Sequence, residues 1–431
     1  MGGLLEAFLK TFLRRGELEV RLANGRTFAC GDGAGKPAAI AFRDSSAEMR
    51  LLRDPTMALG ELYVEGGLVL ERGDLYDLLE IGLRNLEPGE AHGWIRALDG
   101  VRFALRRLHQ RNDTGKARSN IAHHYDLGNA FYELFLDSDM QYSCAYFEHP
   151  GMSLEDAQLA KKRHIAAKLL VDPGHSVLDI GCGWGGMALY LARICGADPT
   201  GVTLSNEQLA RAQGCAAARG APAAFRLQDY RNVRETFDRV VSVGMLEHVG
   251  ASYFEGYFRQ VARLLKKDGV ALIHVIGRPE GPGITNPWIA KYIFPGGYIP
   301  SLSELARAIE RAGLLVTDVE VLRVHYADTL KAWRERFTAR RGEALAMYDE
   351  RFCRMWDFYL AGSEACFRLG QQSVFQIQLA HDVNAIPLTR AYIPEREARL
   401  QDREMREQLR TPGEQPPYFH DFSTGALRRA R

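Results

Sequence analysis

A chain of 431 residues exceeds what one hydrophobic core usually holds, so two or three domains are expected. With 46% hydrophobic and 25% charged residues and a formal net charge of +1, it has a globular balance and no global attraction to nucleic acid. The seven cysteines form no Cys-x-x-Cys and have no paired histidines at zinc spacing, so no metal is expected and a reduced cytoplasm is the predicted compartment. No apolar run approaches the roughly 18 residues of a membrane span, and Met1 to Glu6 lack a signal-peptide pattern, so membrane contact is expected to be peripheral, at the inner face.

Residues 1–92 alternate β-like runs such as Leu18 to Leu22 with turns at Asn24-Gly25 and Gly31 to Gly35, which predicts a small α+β domain. In the segment 93–118, Trp94, Leu98, Val101, Leu105 and Leu108 recur at helical spacing among Arg96, Arg102, Arg106, Arg107 and Arg111. This basic amphipathic helix is either a connector packed on its neighbour or a membrane-surface element. Asn112 to Gly115 reads as a joint.

Over 119–395 the pattern becomes strand, glycine turn, helix, repeated, which predicts a parallel sheet with helices on both faces, a Rossmann-like α/β fold. Strands are predicted at 176–180, 200–204, 224–227, 239–243 and 270–276. Ser153 with Asp156 and Ser205 with Gln208 have the spacing of capping boxes. Residues 396–431 read as a charged helix followed, from Thr411, by an aperiodic mobile tail.

The first strand ends in Asp179 and runs into Gly181-Cys182-Gly183-Trp184-Gly185-Gly186, with a helix starting near Met187. Glycines there let a ligand approach the backbone at the carboxyl end of the sheet. Dinucleotide enzymes use a similar loop, but Asp-x-Gly-x-Gly-x-Gly is typical of methyltransferases, and an acid suits the amine and sulfonium of S-adenosylmethionine. The second strand ends in Thr203-Leu204 where an acid would commonly meet the ribose. Gln208 either contacts the ribose or adenine or completes the capping box. Asp229 and Tyr230 offer an acceptor and an aromatic face for adenine.

Several further segments carry a resemblance: Gln141-Tyr142-Ser143-Cys144-Ala145-Tyr146-Phe147, Thr203-Leu204-Ser205, Glu247-His248, Ile293 to Gly297 and His325 to Leu330. The chain resembles cyclopropane-fatty-acyl-phospholipid synthases and mycolic acid cyclopropane synthases over residues 120 to 395, and its first hundred residues look like the additional lipid-handling domain of the phospholipid-acting members. The resemblance implies that a cis double bond attacks the sulfonium methyl and that the resulting carbocation loses a methyl proton to close a ring. It implies a bound bicarbonate as the base, held by Glu247, His274, Tyr326 and backbone groups of Cys144 and Ile276. It also implies Tyr142 and Ser143 beside the cofactor, His124 at the substrate entrance, and homodimerisation. Two adjacent histidines, His123-His124, read equally as a solvated helix start.

Ser363 stands where family members commonly carry a cysteine once proposed as catalytic, with Cys366 three residues on, so a thiol nucleophile at that position is excluded. Aromatic residues dense from Tyr125 to Tyr146 and from Trp333 to Tyr359 read as ordinary core or as the wall of an acyl tunnel that stabilises a cation. The expected activity is cyclopropanation of unsaturated phospholipid chains. The rivals are an olefin C-methyltransferase giving a methyl-branched or methylene lipid, and a catalytically inactive lipid-binding protein.

Overall fold

The computed structural model describes residues 2–86, 100–103 and 127–410. The predicted basic helix lies outside these apart from Gly100 to Phe103, as do the joint at 112–115, His124 and the tail from Thr411.

The first lobe is a four-stranded sheet of β1 (Glu17–Arg21), β2 (Thr27–Cys30), β3 (Pro37–Phe42) and β4 (Leu68–Arg72), in the order β2-β1-β3-β4. The expected α+β character is present, with β1 and β3 parallel and the outer pairs antiparallel. Val20, Ile40 and Leu68 point into a core closed by Leu5, Leu51, Leu62 and Leu78 from four helices. Helix Pro55–Glu65 turns its other face to the rest of the molecule. A Cβ at Gly60 would lie 2.5 Å from Trp288 Nε1, so only glycine permits this approach. Glu61 accepts from Lys291 and from the Tyr292 hydroxyl, both at 2.8 Å.

The second sheet contains β5 (Ser176–Ile180), β6 (Asp198–Thr203), β7 (Ala224–Leu227), β8 (Phe237–Val243), β9 (Leu265–Gly277), β10 (Leu315–Val321) and β11 (Ser373–Ala380). Their order is β10-β11-β9-β8-β5-β6-β7. The first five strands are parallel, as the sequence predicts, because their crossovers place helices on the faces. β10 and β11 are an unpredicted antiparallel addition, so the sheet is mixed rather than wholly parallel. β11 is buried along its whole length, yet carries Gln376 and Gln378, which interrupt the apolar run that marks a central strand.

The topological switch lies between β5 and β8, and the glycine loop leaves β5 there. Helix Leu154–Lys168 packs so deeply that Lys161, Lys162, Arg163, His164 and Lys168 are all buried. Four are in ion pairs, Lys162 with Asp139 at 2.5 Å, Arg163 with Glu404 at 2.8 Å, His164 with Glu320 and Glu397, and Lys168 with Glu320 at 2.7 Å, while Lys161 donates to Gln141 and Ser143. Glu397 and Glu404 lie on the C-terminal helix Tyr392–Arg410, whose charged sequence is explained by this docking. Both predicted capping boxes are half built. Ser153 and Ser205 accept from the amides of Asp156 and Gln208, while full boxes form instead at Asp74 with Asp77 and Ser301 with Glu304.

Candidate active site

Two cavities meet at the carboxyl end of the sheet, sharing Tyr142, Ser143, Gly244 and His248 as common wall. The larger, of about 260 Å3, is bounded by the glycine loop, Thr203, Gln208, Asp229 and Tyr230. The smaller, of about 120 Å3, is bounded by Cys144, Glu247, His274, Ile276, Tyr326 and Ser363. The residues expected to hold a cofactor and those expected to hold a base therefore fall on opposite sides of one partition.

The larger cavity owes its shape to backbone. Gly181, Gly183 and Gly185 have φ of 78°, 55° and 89°, left-handed values that favour glycine, and a Cβ at Gly181 would sit 2.8 Å from Met245. Gly181 and Cys182 donate to the Val202 carbonyl at 2.9 and 3.1 Å, tying the loop to the end of β6. Trp184 lines the cavity and donates from Nε1 to Asn129 Oδ1 at 2.7 Å. Asp179 is buried with no partner for Oδ2, and burial raises its carboxyl to about 7. A buried acid lacking a partner, above a glycine cradle, fits an amine-bearing ligand such as S-adenosylmethionine.

The two readings of Gln208 are resolved by geometry. Thr203 Oγ1 donates to Gln208 Oε1 at 2.9 Å and accepts from the Ser205 amide at 3.2 Å, so Thr203 takes the contact that a capping box would give to Gln208. Gln208 is left as cavity wall, where Leu204 joins it. Asp229 is gripped by Arg231 at 2.6 and 2.9 Å, so its carboxylate is less open to adenine than the sequence suggests, and Tyr230 stacks edge-on to Tyr257 at 5.4 Å.

In the smaller cavity Glu247 Oε1 accepts from the Ile276 amide at 2.7 Å, while Oε2 is buried without a partner. Burial lifts this carboxyl to about 7, so near neutrality it can carry a proton toward an anion instead of repelling it. Of the backbone groups at Ile276, a position the resemblance assigns to bicarbonate, the amide is taken by Glu247. His274 faces Gln376 across the β9–β11 ladder, with Nδ1 3.2 Å from Gln376 Nε2. Burial, and then the nearby Lys161, Lys168 and His164 charges, hold its ring well below the ordinary histidine range, hence neutral. Tyr326 packs its ring on Phe367 at 4.7 Å. Burial pushes the Cys144 thiol up, which leaves it a small core residue rather than a thiolate. Ser363 lines this cavity from helix Glu350–Arg368, whereas Cys366 does not, and burial raises the latter's thiol to about 12.

The aromatic run divides between its two readings. Phe131 and Phe135 are core, with Phe131 edge-on to Trp356 at 4.9 Å. Tyr142, Tyr326 and Tyr359 face the smaller cavity, and the hydroxyls of Tyr142 and Tyr359 lie 2.8 Å apart.

Four residues at the site escape the sequence reading as site residues. His248 lines both cavities, and burial lowers its ring to about 4. Its adjacency to Glu247 is the available signal. Lys161, fully buried, holds Gln141 Oε1 at 2.7 Å and Ser143 Oγ at 2.8 Å, which pins the partition between the cavities. Tyr359 and Gln376 sit in a helix and a strand remote in sequence, and only the fold brings them in.

An open α/β sheet with an orphan acid and glycine cradle at its switch point defines a methyltransferase that uses S-adenosylmethionine. The family model described as mycolic acid cyclopropane synthetase matches residues 112–377. The chain is 39% identical to cyclopropane-fatty-acyl-phospholipid synthase of Escherichia coli K12, over 80% of this chain and 89% of that protein. It is 37% identical to tuberculostearic acid methyltransferase of Mycobacterium tuberculosis, over 80% and 84% respectively. Among solved structures, a mycolic acid cyclopropane synthase complexed with SAH and CTAB superposes with a TM-score of 0.58 at 34% identity, covering 61% of this chain and 97% of that one. The chain belongs to the mycolic acid cyclopropane synthetase family.

Proposed function

We propose that this enzyme converts cis double bonds in phospholipid acyl chains to cyclopropane rings. The observation that carries the proposal is the second cavity, where a carboxyl with a free buried oxygen and a neutral imidazole share a mainly apolar, tyrosine-walled space. S-adenosylmethionine, bound in the larger cavity, would supply the electrophilic methyl. Asp179 would hold its amine, Thr203, Leu204 and Gln208 would flank its nucleoside end with Asp229 and Tyr230 beyond, and Tyr142 and Ser143 would separate it from the acyl chain. Glu247, His274 and Tyr326, with backbone of Cys144, are the groups that would hold bicarbonate, which when bound would supply the oxygen base for ring closure, and Ile276 would act through the hold of its amide on Glu247. Tyr142, Tyr326 and Tyr359 would turn ring faces or oxygens toward developing positive charge, each ring face contributing about 0.5 to 2 kcal/mol. Ser363 would be a wall residue without a covalent role.

Residues 1–92 would be the lipid-handling domain and 119–395 the catalytic one, with the enzyme working at the cytoplasmic face of a membrane. The family model matches residues 112–377, which leaves out the first lobe, consistent with a lobe suited to a membrane-borne substrate. Among the described residues no helix is long and apolar enough to cross a membrane. His124 as entrance residue and homodimerisation remain part of the same proposal.

The relative named as a methyltransferase supports a second reading, in which the same carbocation ends as a methyl-branched or methylene lipid. Incubating the enzyme with S-adenosylmethionine and vesicles of a cis-monounsaturated phosphatidylglycerol, then analysing the fatty acids by mass spectrometry and proton NMR, separates the two. The expected product is longer by one methylene and shows ring protons. A product with one added carbon and no ring overturns cyclopropanation, and unchanged lipid with the cofactor still bound overturns the lipid substrate.

A further inference from the structure

The base-holding cavity is backed by a chain of hydrogen bonds that none of the reading above uses. Gln376 lies opposite His274 in the β9–β11 register and is fully buried. Its Nε2 lies 3.2 Å from His274 Nδ1, and its Oε1 accepts from Lys168 Nζ at 3.1 Å. Lys168 in turn donates to Glu320 Oε2 at 2.7 Å, the same oxygen that meets His164 Nε2 at 2.7 Å, and His164 Nδ1 reaches Glu397 on the C-terminal helix at 2.6 Å.

Chemistry fixes the direction of this chain. A lysine held by a carboxylate is a donor, so the Gln376 atom facing it must be the carbonyl oxygen. The amide nitrogen is then the atom facing His274, and an amide nitrogen only donates. His274 Nδ1 must therefore accept, and a neutral imidazole that accepts at Nδ1 carries its proton on Nε2. Because Nδ1 is taken, Nε2 is the ring nitrogen left for the cavity that His274 lines.

We propose that Gln376, oriented by Lys168, is a positioning residue that fixes the tautomer of His274 so that its Nε2–H is presented to the anion site. This rests on the reading of His274 as a donor in that site. It accounts for the buried Gln376 on a strand that is buried along its whole length, and for a lysine buried at the end of helix Leu154–Lys168. The Gln376→Glu substitution keeps shape and pairs its charge with Lys168, but offers Nδ1 an acceptor, which draws the ring proton away from the cavity. Gln376→Met keeps volume and offers neither.

The test is ¹⁵N NMR of histidine-labelled full-length enzyme, with the His274 signals assigned by their loss in His274→Gln, alongside lipid turnover and S-adenosylmethionine binding. The wild type should show a protonated Nε2 and a bare Nδ1. Gln376→Glu should move the proton to Nδ1 and lower kcat about 10- to 100-fold, the range seen when a partner orienting a functional imidazole is lost. Cofactor Kd should stay within about twofold. Gln376→Met should give a mixed tautomer and a smaller loss. A proton on Nδ1 in the wild type, which needs no variant to observe, overturns the proposal, as does a fully active Gln376→Glu beside an inactive His274→Gln. Full ring formation by His274→Gln overturns the reading of His274 itself, and the positioning role with it.

Discussion

The two cavities meet at Tyr142 and Ser143 yet are built in opposite ways. The larger is shaped by the left-handed glycines of the loop after β5 and by the end of β6, with residues 140–143, 228–231 and 243–257 completing its wall, and the buried acid in it, Asp179, has no partner for Oδ2. The smaller gathers side chains from residues 142–144, 247, 274–276, 326 and 359–363, and two of its polar side chains are placed by other residues: Glu247 by Ile276, His274 by Gln376. A cradle of left-handed glycines is set by local backbone geometry. A cavity whose polar side chains are set by partners from distant elements takes the whole fold to assemble.

If this division is right, substitutions on the two sides should separate binding from chemistry. The largest expected effect is Glu247→Ala, which should lower ring formation by about 10²- to 10³-fold, the usual loss when a preorganised group facing developing charge is removed. Its cofactor Kd, measured by isothermal titration, should change by about twofold or less. Glu247→Gln, which keeps a donor and the contact to Ile276, should fall between. Equal losses of binding and turnover would place Glu247 on the cofactor side.

Asp179→Asn should do the converse, weakening S-adenosylmethionine binding by about 10- to 100-fold, as expected for a lost hydrogen bond to a charged group. Unchanged affinity would remove Asp179 from the cofactor site.

A smaller effect follows from pH. Burial raises Asp179 from 3.8 to about 7 in the free protein, so at pH 6 only about a tenth is ionised. Cofactor affinity should therefore rise roughly tenfold between pH 6 and 8, and the rise should vanish in Asp179→Asn. The same shift, with that of Glu247 from 4.5 to about 7, has the opposite sign for the free protein. The folded state binds these protons more tightly, so its stability is fully present near pH 4 and declines as pH rises through 7.

The smallest effect should come from Ser363→Cys, which restores the residue common in the family. Turnover should change by no more than about twofold, since a wall residue contributes little. A large gain would return a covalent or acid-base role to that position.

The contrast also explains what could be read before the fold was known. The Asp179 loop and the five parallel strands are legible because they rest on neighbours in sequence, namely apolar runs ended by glycines. β10 escaped notice because it is a half-exposed edge whose Asp318 and Glu320 face the Lys168 cluster, and β11 because Gln376 and Gln378 break its apolar pattern. Glu247, His274 and Tyr326 could be named only through resemblance, since nothing local marks a histidine in an apolar strand as functional. Gln208 shows the limit of motif spacing: Ser205-x-x-Gln208 fits a capping box, and only Thr203, five residues before it, takes that place.

The central claim is that the second cavity exists to remove a proton from the transferred methyl. The direct measurement is the deuterium content of lipid formed from S-adenosylmethionine bearing a trideuterated methyl. Ring closure must discard one deuteron, so the account predicts a dideuterated methylene within a cyclopropane. A product that retains all three deuterons would contradict it, because the cation would then have been quenched without any base acting on the methyl.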